Sequence, residues 1–418
     1  IQIIMLNVVN YKSLQDMLGY DATVDVKKII AEKMISLDRR RGLGAELYYI
    51  SDGKFRVVVE EPHFNMVEKV AQEMNSFIGK DLALNQMDLN LVSCICITKC
   101  PEDIDDMDAL LAFGEDLNAK HCNGEVLYAS NLYTKTYYDL RRDIDPIIEA
   151  ALANHKFEVY YQPIYFVKEG CFRSAEALLR LKDEKYGFIP PDVFIAAAEK
   201  SGAIHRIGEF VLEEVCKFIA SDSFKQLGLD YIEINLSVVQ CMQSNMAQKI
   251  LEMVEKYHIR PDQINLEITE TAASYSQKTM MDNLLQLNDA GVHFSLDDFG
   301  TGYSSMLYLK DLPIDALKID REFVRHINTE KSVRAIVSKF ASLAQNLDLD
   351  VIAEGVEDER QSQWLNKNGC EIIQGYLIGK PMTFDKGLEL VDKYNVKKTM
   401  ILGVDKEERK KEKSGGKN

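Results

Sequence analysis

The sequence lacks any apolar run approaching the ~20 residues that a membrane-spanning helix needs, so none of its 418 residues reads as a membrane segment. Its eight cysteines (Cys94, Cys96, Cys100, Cys122, Cys171, Cys216, Cys241 and Cys370) form no CxxC pair. That argues against a zinc site or a disulfide framework and favours free thiols in a reducing cytoplasm. The seven histidines are scattered, none four apart, so a histidine-based metal site is not expected. Basic excess is missing too. A formal charge of −16 argues against binding long nucleic acid through its phosphates. A signal-peptide pattern is absent, as is an opening Met. The chain starts on Ile1-Gln2-Ile3-Ile4-Met5, inside a strand-like pattern, as a fragment would whose sensor or membrane anchor lies upstream.

What is present begins with ordinary globular composition, 46% hydrophobic and 28% charged, at a length that predicts two or three domains. The most informative stretch is Asp297-Asp298-Phe299-Gly300-Thr301-Gly302-Tyr303-Ser304-Ser305. An apolar run, Val292 to Leu296, ends there in two adjacent carboxylates and then a glycine-containing loop. Consecutive Asp is disfavoured inside strands, which places the pair at a strand's C-terminal lip. Two such carboxylates repel each other unless a proton or a cation neutralises them, and hard oxygen ligands suit Mg²⁺ or Mn²⁺. Asp-type turn chemistry at a solvated strand end explains the stretch in isolation equally well.

Residues 1 to about 130 read as a mixed α/β unit. Ile3–Val9 and Leu89–Ile97 are strand-like, and Val26–Ile35 and Met66–Ile78 helical. Glu46 to Val59 forms a hairpin turning on Asp52-Gly53. Residues 132–154 read as a connecting helix with Tyr137, Leu140, Ile144, Ile147 and Ile148 on one face. Beyond it, strand and helix patterns alternate. The strands are Phe157–Val167, Cys171–Arg180, Tyr231–Leu236, Ile264–Ile268, Val292–Leu296, Ala316–Ile319, Asp350–Ala353 and Glu371–Leu377. Such alternation predicts a TIM-type (β/α)8 barrel. The first two strands are too closely joined for a helical crossover, so the first strand is expected to be antiparallel. Residues 396–418 read as a charged, disordered tail.

The acids fall where barrel chemistry collects. Glu176, Asn235, Glu267, Asp297, Asp298, Lys318, Asp320, Glu354 and Gln374 all lie at or near the C-terminal ends of predicted strands, which share one face of a barrel. Solubility does not explain polar groups ending strand after strand with apolar residues behind them. A cation-binding active site does.

Residues from about 145 to 395 resemble an EAL domain, the cyclic di-GMP phosphodiesterase family. Gln162-Pro163-Ile164, Glu176-Ala177-Leu178-Leu179-Arg180, Asn235-Leu236-Ser237, Glu267-Ile268-Thr269-Glu270, Asp297 to Ser305, Lys318-Ile319-Asp320, Glu354-Gly355-Val356-Glu357 and Gln374-Gly375-Tyr376 follow the family's order. The departures are mild: Leu181 stands where Trp often follows the Arg, and Gly379-Lys380 replaces a commoner Ser-Arg. The resemblance implies hydrolysis of cyclic di-GMP to linear pGpG with two ions, Mg²⁺ or Mn²⁺. It implies Glu176, Asn235, Glu267 and Asp297 as ligands of one ion, and Asp298 and Asp320, with Asp297 shared, for the other. Glu354 resembles a further ligand and the base, and Lys318 the group holding the attacking water. Gln162, Leu178 and Arg180 resemble substrate contacts, Gln374 and Glu357 pocket lining, and Glu270 the anchor of the Gly300–Ser305 loop, which the family couples to homodimerisation. An internal salt-bridge role remains open for Lys318 and Arg180, and a capping role for Glu270 and Glu357. A non-hydrolysing receptor for cyclic di-GMP is the alternative function.

Residues 1–131 resemble a degenerate GGDEF (diguanylate cyclase) domain through Leu6-Asn7-Val8-Val9-Asn10-Tyr11-Lys12 and Ser51-Asp52-Gly53-Lys54-Phe55. Asn7 and Gly53 stand where the family has metal-binding acids, and Gln15 and Val24 fill positions that normally help to bind guanine. The expectation is an α+β domain that makes no cyclic di-GMP, with GTP as a possible regulatory ligand at Asn10. The barrel domain is expected to span 155–395.

Overall fold

The computed structural model describes residues 1–80, 83–84, 87–118, 124–274, 278–300 and 309–390. The expected tail 396–418 and the Thr301–Ser305 part of the motif lie outside the described residues. The chain divides into two compact units, Ile1–Asp143 and Ile144–Asn418, and the boundary falls within the helix Lys135–Ala153.

The first unit is built on a five-stranded sheet. Its strands are β1 (Gln2–Val8), β2 (Glu46–Ser51), β3 (Lys54–Val59), β4 (Ser93–Lys99) and β5 (Val126–Tyr128), in the order β2-β3-β1-β4-β5. β1 is central, antiparallel to both β3 and β4, and apolar on both faces. Its Ile4, Leu6 and Val8 pack against Val26, Ile30 and Met34 of helix Tyr20–Arg41 and Val70 and Met74 of helix Phe64–Lys80. Ile3 and Met5 face the other way, towards Leu110 and Phe113 of helix Met107–Asp116. The β2–β3 turn has φ of 38° at Asp52 and 77° at Gly53, the doubly left-handed turn that matches the twist of a hairpin. Helices Tyr11–Leu18 and Met107–Asp116 and strand β5 have no counterpart in the sequence pattern.

The second unit is a closed barrel. Its strands are β6 (Phe157–Phe166), β7 (Cys171–Asp183), β8 (Tyr231–Asn235), β9 (Ile264–Thr269), β10 (His293–Phe299), β11 (Ala316–Ile319), β12 (Asp350–Ala353) and β13 (Ile372–Gln374). Neighbours from β7 round to β13 pair parallel, whereas β6 pairs antiparallel with both β7 and β13 and closes the ring. Amphipathic helices such as Ile204–Ala220, Met246–Lys256 and Lys331–Asn346 return the chain between strands. The last strand is shorter than the expected Glu371–Leu377. A Cβ at Gly375 would stand 2.2 Å from the Val356 carbonyl oxygen, so the chain turns there against the segment after β12.

Side chains two apart on a strand share a face, which sorts the barrel interior into layers. Beneath Gln162, Lys318, Glu354 and Gln374 lie Ile164, Ala316, Ile352 and Ile372, which form one buried apolar cluster. Beneath Glu176, Asn235, Glu267 and Asp297 lie Ser174, Glu233, Asn265 and Ser295, all fully buried or nearly so. Half of the floor under the strand ends is therefore apolar and half is polar.

Candidate active site

The strand ends converge on the Lys318 ammonium. Lys318 is fully buried, and its Nζ lies 2.5 Å from Glu267 Oε1, 2.8 Å from Glu354 Oε1, 3.4 Å from Glu233 Oε2 and 4.0 Å from Glu176 Oε2. Amide donors complete the near side. Asn235 Nδ2 donates to Glu176 Oε1 at 2.6 Å, and Gln374 Nε2 donates to Glu176 Oε2 at 2.5 Å and to Gln162 Oε1 at 3.3 Å. Gln162 Nε2 donates in turn to the Gly379 carbonyl at 3.1 Å. One network thus joins Gln162, Glu176, Asn235, Glu267, Lys318, Glu354 and Gln374. The salt-bridge reading of Lys318 is the state this structure displays.

Four carboxylates share one ammonium, and their protonation reflects the shortage of positive charge. Glu176 is held below the usual carboxylate range: burial opposes this, but Lys318 and the Gln374 and Asn235 amides outweigh it. Burial, reinforced by Glu176 and Glu233, pushes Glu267 well up despite Lys318. Burial and the neighbouring acids Asp297 and Glu176 push Glu354 up to about 8, against the pull of Lys318. Asp297 is raised by burial and by Glu176, and Asp298 is pushed up to about 6 by burial, Asp297 and Asp320. Lys318 itself is raised well above its usual value; burial opposes this, and the surrounding glutamates prevail. Among the described residues no group of three or more His, Cys, Asp or Glu side chains is arranged to hold a metal ion. Glu176, Glu233, Glu267 and Glu354 turn instead towards the Lys318 ammonium.

The second acidic group sits at the lip. Asp298 has φ of 56°, and its backbone N–H donates to Asp297 Oδ1 at 2.8 Å. Asp320 is buried and caps the short helix Arg321–His326, accepting from the Glu322 N–H at 2.8 Å. Glu270 Oε2 accepts from the Gly300 N–H at 3.0 Å, so it holds the first residue of the loop after β10. A cavity of about 570 Å³ opens beside the cluster, lined by Glu176, Leu178, Arg180, Asn235 and Asp298. The Arg180 guanidinium donates to its neighbour's Leu179 carbonyl at 2.9 Å and lies 5.7 Å from the centre of the Tyr160 ring. Glu357 is exposed; its backbone N–H donates to Gln361 Oε1 at 2.7 Å, and the structure does not draw its side chain into the network.

Glu233 is the residue that the sequence reading missed. It is 0% exposed, and neither of its carboxylate oxygens has a hydrogen-bond partner. The signal was available in Tyr231-Ile232-Glu233-Ile234-Asn235: an acid two places before Asn235 faces the same way.

The family model for the EAL domain matches residues 146–381. The chain is 28% identical over 384 residues to the Cyclic di-GMP phosphodiesterase NbdA of Pseudomonas aeruginosa, covering 91% of this chain and 48% of that protein. It is 29% identical over 406 residues to the Bifunctional diguanylate cyclase/cyclic di-GMP phosphodiesterase MucR of the same organism, covering 93% of this chain and 57% of that one. The chain therefore spans about half the length of these curated relatives. A solved structure of the PaMucR phosphodiesterase in complex with c-di-GMP superposes with a TM-score of 0.54 at 36% identity, covering 60% of this chain and 99% of that one. With more than half of its residues matched by the family model and its acids gathered at the C-terminal face of the barrel, the chain belongs to the EAL-domain family.

Proposed function

We propose that the barrel hydrolyses cyclic di-GMP to linear pGpG with the help of two divalent cations, Mg²⁺ or Mn²⁺. The observation that carries this is a deficit of positive charge at the mouth of a substrate-sized cavity, where four carboxylates crowd one ammonium and burial with mutual repulsion raises Glu267 and Glu354. The donor set fits hard cations. It is all oxygen, and Glu267 Oε2 is buried without a hydrogen-bond partner. Glu176, Asn235, Glu267 and Asp297 would hold one ion, and Asp297, Asp298 and Asp320 the other, with Glu354 as a further ligand. Bound there, such ions acidify water and neutralise charge on a transferring phosphoryl group.

The chain's own groups supply the rest. Arg180 pairs with a phosphate oxygen, and Gln162, Leu178, Gln374 and Glu357 line the space around the nucleotide. Glu354 accepts a proton from the attacking water, the part a carboxylate plays as a general base. The water oxygen bonds to phosphorus as the bond to the 3′ oxygen breaks, and the departing 3′ oxygen takes a proton from solvent, leaving a 5′-phosphate and a 3′-hydroxyl. The Lys318 ammonium counters the negative charge that peaks in that transition state. The assay is direct: cyclic di-GMP is incubated with the protein and Mg²⁺ or Mn²⁺, and pGpG is the expected product. Tight binding without cleavage would identify a receptor instead.

The same reading extends to the rest of the chain. Residues 1–131 form a GGDEF-like regulatory domain, supported by the match to a bifunctional relative over 93% of this chain, and Asn7 and Gly53 in place of metal-binding acids leave it without synthetic activity. Residues 132–154 connect it to the phosphodiesterase domain at 155–395, and 396–418 is a charged tail. A cytoplasmic protein, paired through its barrel domain, taking input from an upstream sensor or membrane segment and binding GTP at its first domain as a regulatory ligand, completes the proposal. No helix among the described residues is long and apolar enough to cross a membrane.

A further inference from the structure

Three of the acids around Lys318, namely Glu176, Glu267 and Glu354, are the ones assigned above to divalent cations. A carboxylate that binds such a cation attracts an ammonium less, and the cations repel the ammonium directly. The fourth acid is placed differently. Glu233 lies two residues before Asn235 on β8, on the same inward face and one layer deeper. Its register neighbours are Glu176 on β7 and Asn265 on β9. Asn265 is already engaged with Ser295, donating at 2.8 Å and accepting at 3.0 Å. Lys318 makes the only ion pair of Glu233 among the described residues, at 3.4 Å. Glu233 also lies against Glu267, whose carboxyl it helps to raise. A buried carboxylate among other acids, with one ammonium to offset it, is costly to keep, and the cation sites give it no role.

We propose that Glu233 is a positioning residue that anchors the Lys318 ammonium from below once cations engage the acids at the lip. The inference rests on the phosphodiesterase reading. Without a lower anchor, the ammonium is pushed from its place by the cations above. With it, the charge stays fixed where the transition state needs it, and no reorganisation accompanies the reaction.

The test uses the full chain and the variants Glu233→Gln and Glu233→Asp. Glu233→Gln keeps the shape and removes the charge. Its kcat is expected to fall by ~10–100-fold, as when an outer partner of a catalytic group is lost. Affinity for cyclic di-GMP in Ca²⁺, and for Mg²⁺ by calorimetry, should stay unchanged. Glu233→Asp should retain more turnover than Glu233→Gln. An undiminished kcat in Glu233→Gln, a loss confined to KM, or the reverse order of the two variants overturns the proposal. Thermal melts give a readout independent of turnover. The wild type, Glu233→Gln, Lys318→Met and the double variant are melted in chelator and in Mg²⁺. Coupling between the two positions should shift Tm more in Mg²⁺, where the ammonium depends on Glu233, than in chelator, where four acids share it. Equal or weaker coupling in Mg²⁺ overturns the proposal. If the wild type leaves cyclic di-GMP intact, the phosphodiesterase reading fails by itself and the melts decide the role of Glu233.

Discussion

Each unit buries a cation on a strand, and the two cations live in opposite circumstances. In the first unit the Arg56 guanidinium donates from Nη1 to Asn7 Oδ1 at 3.0 Å, to the Phe55 carbonyl at 2.8 Å and to the Leu6 carbonyl at 3.5 Å. Asn7 in turn donates to the Gly114 and Leu117 carbonyls, each at 2.8 Å. Asn7 uses both its donor and its acceptor, and its partners are neutral oxygens or Arg56 itself. In the barrel, one ammonium faces four carboxylates, and buried oxygens of Glu233 and Glu267 lack hydrogen-bond partners. A satisfied polar cluster rigidifies a core, whereas an unsatisfied one is retained against its cost. The contrast separates architecture from a site on physical grounds.

The largest effect expected breaks the barrel side of this contrast. Glu176→Ala removes the acid that the Asn235 and Gln374 amides orient, at 2.6 and 2.5 Å, and should abolish pGpG formation, as should excess chelator. Hydrolysis that persists in chelator would refute cation dependence. Next, Lys318→Ala should lower kcat by ~10²–10³, the usual cost of losing a preorganised electrostatic donor, while affinity in Ca²⁺ is largely kept. Arg180→Ala should do the reverse and mainly loosen binding. If Lys318→Ala turns over normally and only binds more weakly, its role is that of a substrate clamp.

The barrel was legible because strand and helix periodicities alternate, and because each strand's last inward residue is polar. Asn235, Glu267 and Lys318 were found by that rule, and the same rule applied one layer down would have found Glu233. Glu357 shows its limit: it follows the strand-end Glu354, yet the turn through Gly355 and Val356 leaves it exposed. The first unit was harder to read. Arg56 lies in a hairpin strand whose pattern gives no reason to bury an arginine. Its burial comes from the stretch around Gly114, where a Cβ would stand 2.5 Å from an Arg56 nitrogen, and no periodicity announced that helix.

Smaller effects sharpen the comparison from the other side. Arg56→Met leaves Asn7 Oδ1 and two carbonyls without their donor, and should destabilise the first unit by about 1–3 kcal/mol without altering the cation requirement of turnover. Thermal melts and the metal dependence of kcat check both halves. The barrel should also respond to pH where the Arg56 cluster does not. With Glu354 raised to about 8, chiefly by burial, the metal-free native state holds a proton that the unfolded chain releases near the usual carboxylate value. The native state thus binds more protons across that window, and stability in chelator falls as pH rises towards about 8. Glu354→Gln should flatten the slope and Arg56→Met should leave it. Burial lowers the Arg56 guanidinium only to about 10, so it stays charged throughout.

The smallest expected effect is the most direct test of the first unit, and it comes from restoring an acid. Asn7→Asp puts a carboxylate where the GGDEF resemblance expects a metal ligand, yet cyclic di-GMP synthesis from GTP should stay undetectable. Arg56 Nη1 is already 3.0 Å from the side-chain oxygen at that position, so the new charge is neutralised inside the protein before a cation can use it. The second acid cannot be regained at Gly53 either. A Cβ there would stand 2.7 Å from the Tyr11 ring, on a backbone with φ of 77°. Stability should change by no more than about 1 kcal/mol, because the ion pair with Arg56 offsets the two amide donors lost to Gly114 and Leu117. Product formation is measured with GTP and Mg²⁺, and stability by thermal melt. Any synthesis by Asn7→Asp would mean that Arg56 yields its place to a metal ion, and that the two buried cations differ less than their surroundings indicate.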